Sequence, residues 1–208
     1  MNELHTKAKK SGKTDKKRLI LHSAVKVFSE KGYHHCRISD IAAEAGVAYG
    51  LVYHYFKNKE EILNCIFDEN WGLLAKVIDM VDTQTPRLEE KLYLITSLIL
   101  DAYHLAPGII QVMVMEIARS SKFLKEPKIE AFEKAFSRLA EILSQHQAAG
   151  EIKSKLPPKV MAYAYFGVIE LIITGYLLGT LKAEEGEGHE ALKSSLVRMF
   201  LNGVRGAP

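Results

Sequence analysis

The chain has 208 residues, 48% hydrophobic and 25% charged, a globular composition with length for one medium domain or two small ones. Its net charge of +3 hides an asymmetry, because residues 1–60 hold twelve Lys/Arg against six Asp/Glu and residues 61–208 hold sixteen against nineteen. A basic amino-terminal part on a mildly acidic body suits a polyanionic partner for that part alone, and two cysteines, Cys36 and Cys65, are too few for a disulfide framework.

Taken in chain order, residues 1–15 are polar and Lys-rich with Ser11-Gly12 inside, and they read as a disordered basic arm. They contain no apolar run of the kind a signal peptide carries, so a cytoplasmic protein is expected. From Lys16 to Lys31 a helical stripe follows (Leu19, Ile20, Ala24, Val25, Val27, Phe28), stopped by Gly32. Ile38, Ile41, Ala42 and Ala45 share one face of a short helix that ends at Gly46, and a second short helix spans about Tyr49 to Tyr55. Asn58 is a suitable N-cap for a long amphipathic helix reaching about residue 82, with Glu60 and Glu61 in its first turn.

Prolines punctuate the remainder. Pro86, Pro107, Pro127 and Pro157-Pro158 each precede a new apolar period, which predicts helices over 87–105, 107–119, 127–149, 157–181 and 188–204. No strand alternation is found. The expected class is all-α with nine helices: a helix-turn-helix domain over 16–62 and a ligand-binding and dimerisation domain over 63–208.

Two short helices around Gly46 form a helix-turn-helix pattern. Gly46 can adopt the positive φ of a sharp corner, and Ala42 and Ala45 are small enough for a close crossing. Ile41, Val47 and Val52 can pin the crossing angle, leaving Ala48, Tyr49, Gly50, Tyr53 and His54 to face a major groove about 12 Å wide. Lys57 and Lys59 follow at the start of the next helix, where free backbone N–H groups favour an anion.

The run Gly32-Tyr33, Ile38, Ile41-Ala42, Ala45-Gly46-Val47, Gly50-Leu51, Tyr53-His54-Tyr55-Phe56, Lys59-Glu60 and Ile62-Leu63 resembles the DNA-binding signature of the TetR family over about residues 16–64. The resemblance implies a homodimeric, ligand-responsive repressor that binds a pseudo-palindromic operator in double-stranded DNA. Tyr49 and Gly50 would approach bases, while Tyr53, Tyr55 and Lys59 would hold phosphates. Two departures stand out. Cys36 and Arg37 occupy positions where the family commonly has threonines, so Arg37 would contact a phosphate in place of a capping hydroxyl, and Ala48 stands where the family often has serine.

In the same family the helices after the DNA-binding part enclose an effector pocket. Tyr103, Met113, Phe123, Phe132, Phe136, Tyr165 and Phe166 are the soft or aromatic candidates for it, and His104, Glu116, Arg119 and Glu170 the polar ones. Taken singly, each soft or aromatic residue fits plain bundle core better, and the polar ones serve equally well as internal ion pairs. The block from Glu116 through Ser120, Ser121 and Phe123, with Phe166-Gly167 and Glu170, resembles the fatty-acid-degradation regulators of the family, which respond to long-chain acyl-CoA. Arg119, Lys122 and Lys125 would then sit at the mouth of an apolar tunnel. Hydrophobic drugs and aromatic compounds are the other effector classes. The last two helices would pair with a second subunit through Gly167, Gly175, Gly179, Leu192, Leu196, Met199 and Phe200.

Other readings have less behind them. Residues 160–181 carry one charge, Glu170, and could anchor a helical interaction protein in a bilayer, although three glycines and the acid oppose it. His34-His35-Cys36 are adjacent and cannot easily converge on one metal. No nucleophile elbow, GxGxxG or P-loop occurs, so no enzyme, metal or cofactor is expected.

Overall fold

A computed structural model describes the backbone of residues 2–117 and 130–205, and the side chains of 15–115 and 130–205. Among the described residues there are nine α-helices and no strand: α1 (Asn2–Lys31), α2 (Ile38–Glu44), α3 (Tyr49–Tyr55), α4 (Lys59–Gln84), α5 (Leu88–Leu105), α6 (Pro107–Ile117), α7 (Glu130–Ala148), α8 (Pro158–Leu177) and α9 (Gly186–Arg205). The all-α class and the helix-turn-helix plus larger helical part are as the sequence implies. The expected disordered arm is not what is seen. Residues 2–15 continue α1, because Lys, Ala and Leu are good helix formers and no proline interrupts them.

The chain divides into two units. The first comprises Met1–Glu69 with Gly108–Ser120, and the second Asn70–Pro107 with Ser121–Pro208. The sequence reading places the boundary at 62/63 and gives all of 107–119 to the second part. Instead α6 belongs with the head, since Gly108 lets α6 approach α1 so closely that an added Cβ would meet Ser29 Oγ at 3.2 Å. Gln111 Nε2 also donates to the Ser29 carbonyl at 2.9 Å.

In the first unit α1, α2 and α3 bury Ile20, Ala24, Val27, Phe28, Ile41 and Val52 with Phe56. Each helix stops for a local reason. Gly32 (φ 76°) closes α1 and donates its N–H to the Phe28 carbonyl at 2.9 Å. Gly46 (φ 62°) closes α2 in a Schellman arrangement, with Val47 N–H on the Ala42 carbonyl at 3.0 Å and Gly46 N–H on that of Ala43 at 3.1 Å.

In the second unit α7 packs along α8, and α5 packs on α8 and α9. Leu88, Leu92, Ile95 and Leu100 of α5 meet a core that includes Leu139, Ile142, Leu143, Met161, Ile169, Val197 and Leu201. Tyr165 is buried here, its hydroxyl donating to the Leu92 carbonyl at 2.6 Å and also bonded to Thr96. Burial pushes that phenol up, beyond ordinary titration.

Candidate nucleic-acid interface and effector cavity

The head presents a reading surface built on α3. Ala48 is its N-cap in an extended conformation without a side-chain bond. Tyr49 and Tyr53 are 53% and 46% exposed. Their hydroxyls lie 3.2 Å apart and their rings meet edge to face at 5.2 Å. The hydrogen bond with the Tyr49 hydroxyl raises Tyr53 above the ordinary phenol value, so the Tyr53 hydroxyl stays protonated and can donate. Gly50 lies between them, with nothing within 4 Å of where its Cβ would be. His54 is exposed beside half-buried Tyr55, ring to ring at 5.2 Å.

Around this helix, Arg37 is exposed at the N-cap of α2. The missing capping hydroxyl is compensated from the other side, because Arg37 N–H donates to Asp40 Oδ2 at 2.7 Å. Lys31 and Arg37 hold the Asp40 carboxyl below its usual range. At the start of α4, Asn58 Oδ1 accepts the Glu61 N–H at 2.8 Å and Glu61 Oε2 accepts the Lys57 N–H at 2.6 Å. The Lys57 side chain is exposed. Lys59 is different, since its ammonium is bonded to the Tyr33, His34 and Cys36 carbonyls. The structure thus brings Arg37, Tyr49, Gly50, Tyr53, His54 and Lys57 to the surface of one unit and turns Lys59 inward.

The second unit contains an aromatic cluster. Trp71 stacks near Phe132 at 4.7 Å, Phe166 at 5.4 Å and Phe136 at 6.0 Å. Phe136 also meets Tyr163 at 4.3 Å and Phe166 at 5.0 Å. Beside it, Leu74, Ile78, Ile95, Ala135, Leu139, Phe136 and Phe166 leave an apolar void of about 10 Å³. Of the expected ligand residues, Phe132, Phe136 and Phe166 assemble here. Tyr103 and His104 do not, because their rings pack on Tyr176 at 5.3 Å and His189 at 4.6 Å. Tyr165 is committed to α5, and Met113 lies in the other unit. Arg119, Lys122, Phe123 and Lys125, and the Glu116 side chain, lie outside the described residues. Glu170 is half-buried, and burial alone pushes its carboxyl up. The sequence reading missed Trp71 and Tyr163, although Phe67, Trp71, Leu74 and Ile78 repeat at helical spacing.

The dimer candidates sort into two groups. Met199 is exposed and Gly167 has open space, whereas Leu196 is buried in its own chain. Gly175 approaches Leu181 of the same chain so closely that a Cβ would meet it at 2.6 Å. Gly179 (φ 68°) is the left-handed residue that ends α8. Half-buried Phe200 packs on Tyr165 at 4.9 Å, and Leu192 is half-buried. What α8 exposes instead is an uncharged stripe of Val160, Ala164, Val168 and Leu171, continued by its C-cap residue Leu178. By length and composition α8 could cross a bilayer, with mean hydropathy 1.6 and 39% of its apolar window buried.

One polar cluster was also not foreseen. Asp101, His189 and Glu190 bring ligand-type atoms within 4.8 Å of one another. Lys193 already fills the space, its ammonium 2.7 Å from Asp101 and 2.6 Å from Glu190. Burial opposes charge on Asp101, yet the hydrogen bonds from Lys193 and His189 win and hold it below its usual range. This is an internal ion network joining α5 to α9.

Comparison with known proteins agrees with this geometry. Residues 20–66 match the family described as bacterial regulatory proteins, tetR family. The chain is 31% identical over 189 residues to the fatty acid metabolism regulator protein of Bacillus subtilis (strain 168), covering 89% of this chain and 93% of that one. Its fold is similar to that of the fatty acid degradation regulator FadR from Bacillus halodurans, with TM-score 0.82, 26% identity and coverage of 92% and 97%. It is also similar to FadR from Bacillus subtilis in complex with stearoyl-CoA, with TM-score 0.80, 29% identity and coverage of 90% and 98%. The chain therefore belongs to the TetR family of bacterial regulatory proteins and is a DNA-binding transcriptional regulator similar to the fatty acid metabolism regulators of that family.

Proposed function

We propose that this protein is a cytoplasmic, homodimeric repressor that binds a pseudo-palindromic operator and leaves it when a long-chain acyl-CoA enters the aromatic cluster of the second unit. The observation that carries the effector half is that cluster. Trp71, Phe132, Phe136, Tyr163 and Phe166 offer a largely apolar, aromatic surface whose mutual contacts an acyl chain can replace. The relative bound to stearoyl-CoA supports the same ligand class. Arg119, Lys122 and Lys125 are the cations in the sequence that suit CoA phosphates.

A void of about 10 Å³ holds no acyl chain, so these rings must part for the ligand to enter. The ligand then favours the parted arrangement by its differential affinity for it. α4 begins in the head and ends in the second unit, which makes it the element to carry the change. The uncharged stripe of α8 is the surface a second subunit would cover, pairing two reading helices about 34–36 Å apart on DNA. The same stripe is what favours the other reading, a membrane-attached helical protein.

The test uses a duplex selected by the wild-type protein from a random pool. Retardation of that duplex, its loss on adding stearoyl-CoA, and no loss with CoA alone are expected. Binding unaffected by acyl-CoA would remove the effector assignment. Protein found only in the detergent-extracted membrane fraction would favour the anchored reading.

A further inference from the structure

Lys59 is a basic residue beside the reading helix, where a phosphate contact is the natural expectation, but its surroundings give it other work. An ammonium has three N–H donors and no acceptor. Three backbone carbonyls converge on this one: Cys36 O at 2.9 Å, His34 O at 3.4 Å and Tyr33 O in a shorter bond. The Tyr33 ring covers it as well, 4.5 Å from Nζ to the centroid. Each donor therefore has an acceptor inside the protein, and a phosphate could be met only by breaking one of these bonds. Lys57, two residues earlier, keeps its side chain exposed.

The position explains the arrangement. Lys59 is the first residue of α4, and the three carbonyls belong to the loop joining α1 to α2. That loop is tightly folded, with Gly32 at φ 76° and Cys36 N–H on the Gly32 carbonyl at 3.2 Å, which is why its carbonyls point to one spot. It leads directly into Arg37, the N-cap of α2. A single side chain thus fastens the beginning of α4 to the entry of the helix-turn-helix.

We infer that Lys59 is a positioning residue that ties α4 to the α1–α2 loop and so sets where α2 and α3 stand, and that it is not one of the phosphate contacts. The reading helix should lose its register when this tie is cut, while the exposed cations Arg37 and Lys57 that attract DNA non-specifically stay.

Two measurements test this. The first is amine labelling of the wild-type protein read by mass spectrometry, with and without DNA. Lys59 should react at least tenfold more slowly than Lys57 in the free protein, and DNA should protect Lys57 while leaving Lys59 unchanged. The second compares Lys59→Met and Lys57→Met with wild type on the selected duplex and on a shuffled one, with active fraction titrated and melting recorded. Lys59→Met should weaken binding to the selected duplex about tenfold or more, keep binding to the shuffled duplex within about twofold, and leave the salt slope unchanged. Lys57→Met should weaken both and lower the slope by about 0.9 per subunit, as loss of one phosphate contact does. Three results would each overturn the inference: labelling of Lys59 as fast as Lys57, protection of Lys59 by DNA, or equal losses on both duplexes for Lys59→Met. The labelling arm stands whether or not the protein binds the selected DNA, so it fails separately from the repressor reading.

Discussion

Single residues carry costs that the structure makes measurable. Gly46 turns the helix-turn-helix corner at φ 62°, and a Cβ there would meet nothing within 4 Å. The cost of Gly46→Ala is therefore backbone strain alone, about 1–2 kcal/mol, and urea unfolding should show it. Gly46→Asn should cost less, because Asn tolerates this region. Glu170 carries a different cost, a half-buried carboxyl whose ionised form is opposed by burial. Because its folded-state value is raised, the stability it allows is present below the ordinary 4.5 and is lost as pH rises through the folded value. Glu170→Gln should accordingly match wild type in melting temperature near pH 4.5 and exceed it at pH 7.5. Equal melting at both pH values would contradict the burial. Both residues stand out in the sequence, one as the glycine between two short helices and the other as the one charge in residues 160–181. How far Glu170 is buried does not follow from periodicity.

At the scale of elements, helix ends were the most legible feature. Gly32, Gly46 and Gly150 end helices at positive φ, and Pro107 and Pro158 open two of them. Their physics is local, so the sequence suffices. Helix faces are another matter. The apolar faces of α8 and α9 were readable, but not which residues would serve their own chain. Leu196 and Gly175 turn to their own core, and an outward stripe led by Leu171 (70% exposed) and Leu178 (60% exposed) is left. If a second subunit covers that stripe, Leu171→Glu should place a charge in the interface and give a monomer. Sedimentation should then report half the mass, with helical content retained and operator binding lost because two half-sites need two heads. A dimer that survives this change would relocate the interface.

For the whole molecule, the proposed function requires that a ligand in one unit alter DNA affinity in the other. Trp71 is the single tryptophan and sits in the aromatic cluster proposed to admit the ligand, its ring 4.7 Å from that of Phe132. Acyl-CoA should therefore change its fluorescence saturably, and operator DNA should weaken acyl-CoA binding by the same factor as acyl-CoA weakens DNA binding. An emission change without that reciprocity would mean binding without coupling. The assignment of α6 to the head, through Gly108 and Gln111 on Ser29, could not be anticipated. Pro107 marks where α6 starts and says nothing of which unit it joins.

The sequence by itself determined the helices beyond residue 15 and their stops, the helix-turn-helix and the family, because propensity, capping and short-range spacing act within a few residues of chain. Only the tertiary structure decided which aromatic rings meet around Trp71, that Lys193 neutralises the Asp101–Glu190 pair, and that Lys59 points inward to three carbonyls. For the rings and for both lysines, the partners are distant in sequence or set by loop geometry. A lysine at a helix start looks the same in sequence whether its ammonium faces a phosphate or a folded loop. Long-range packing, which no local pattern encodes, makes that choice.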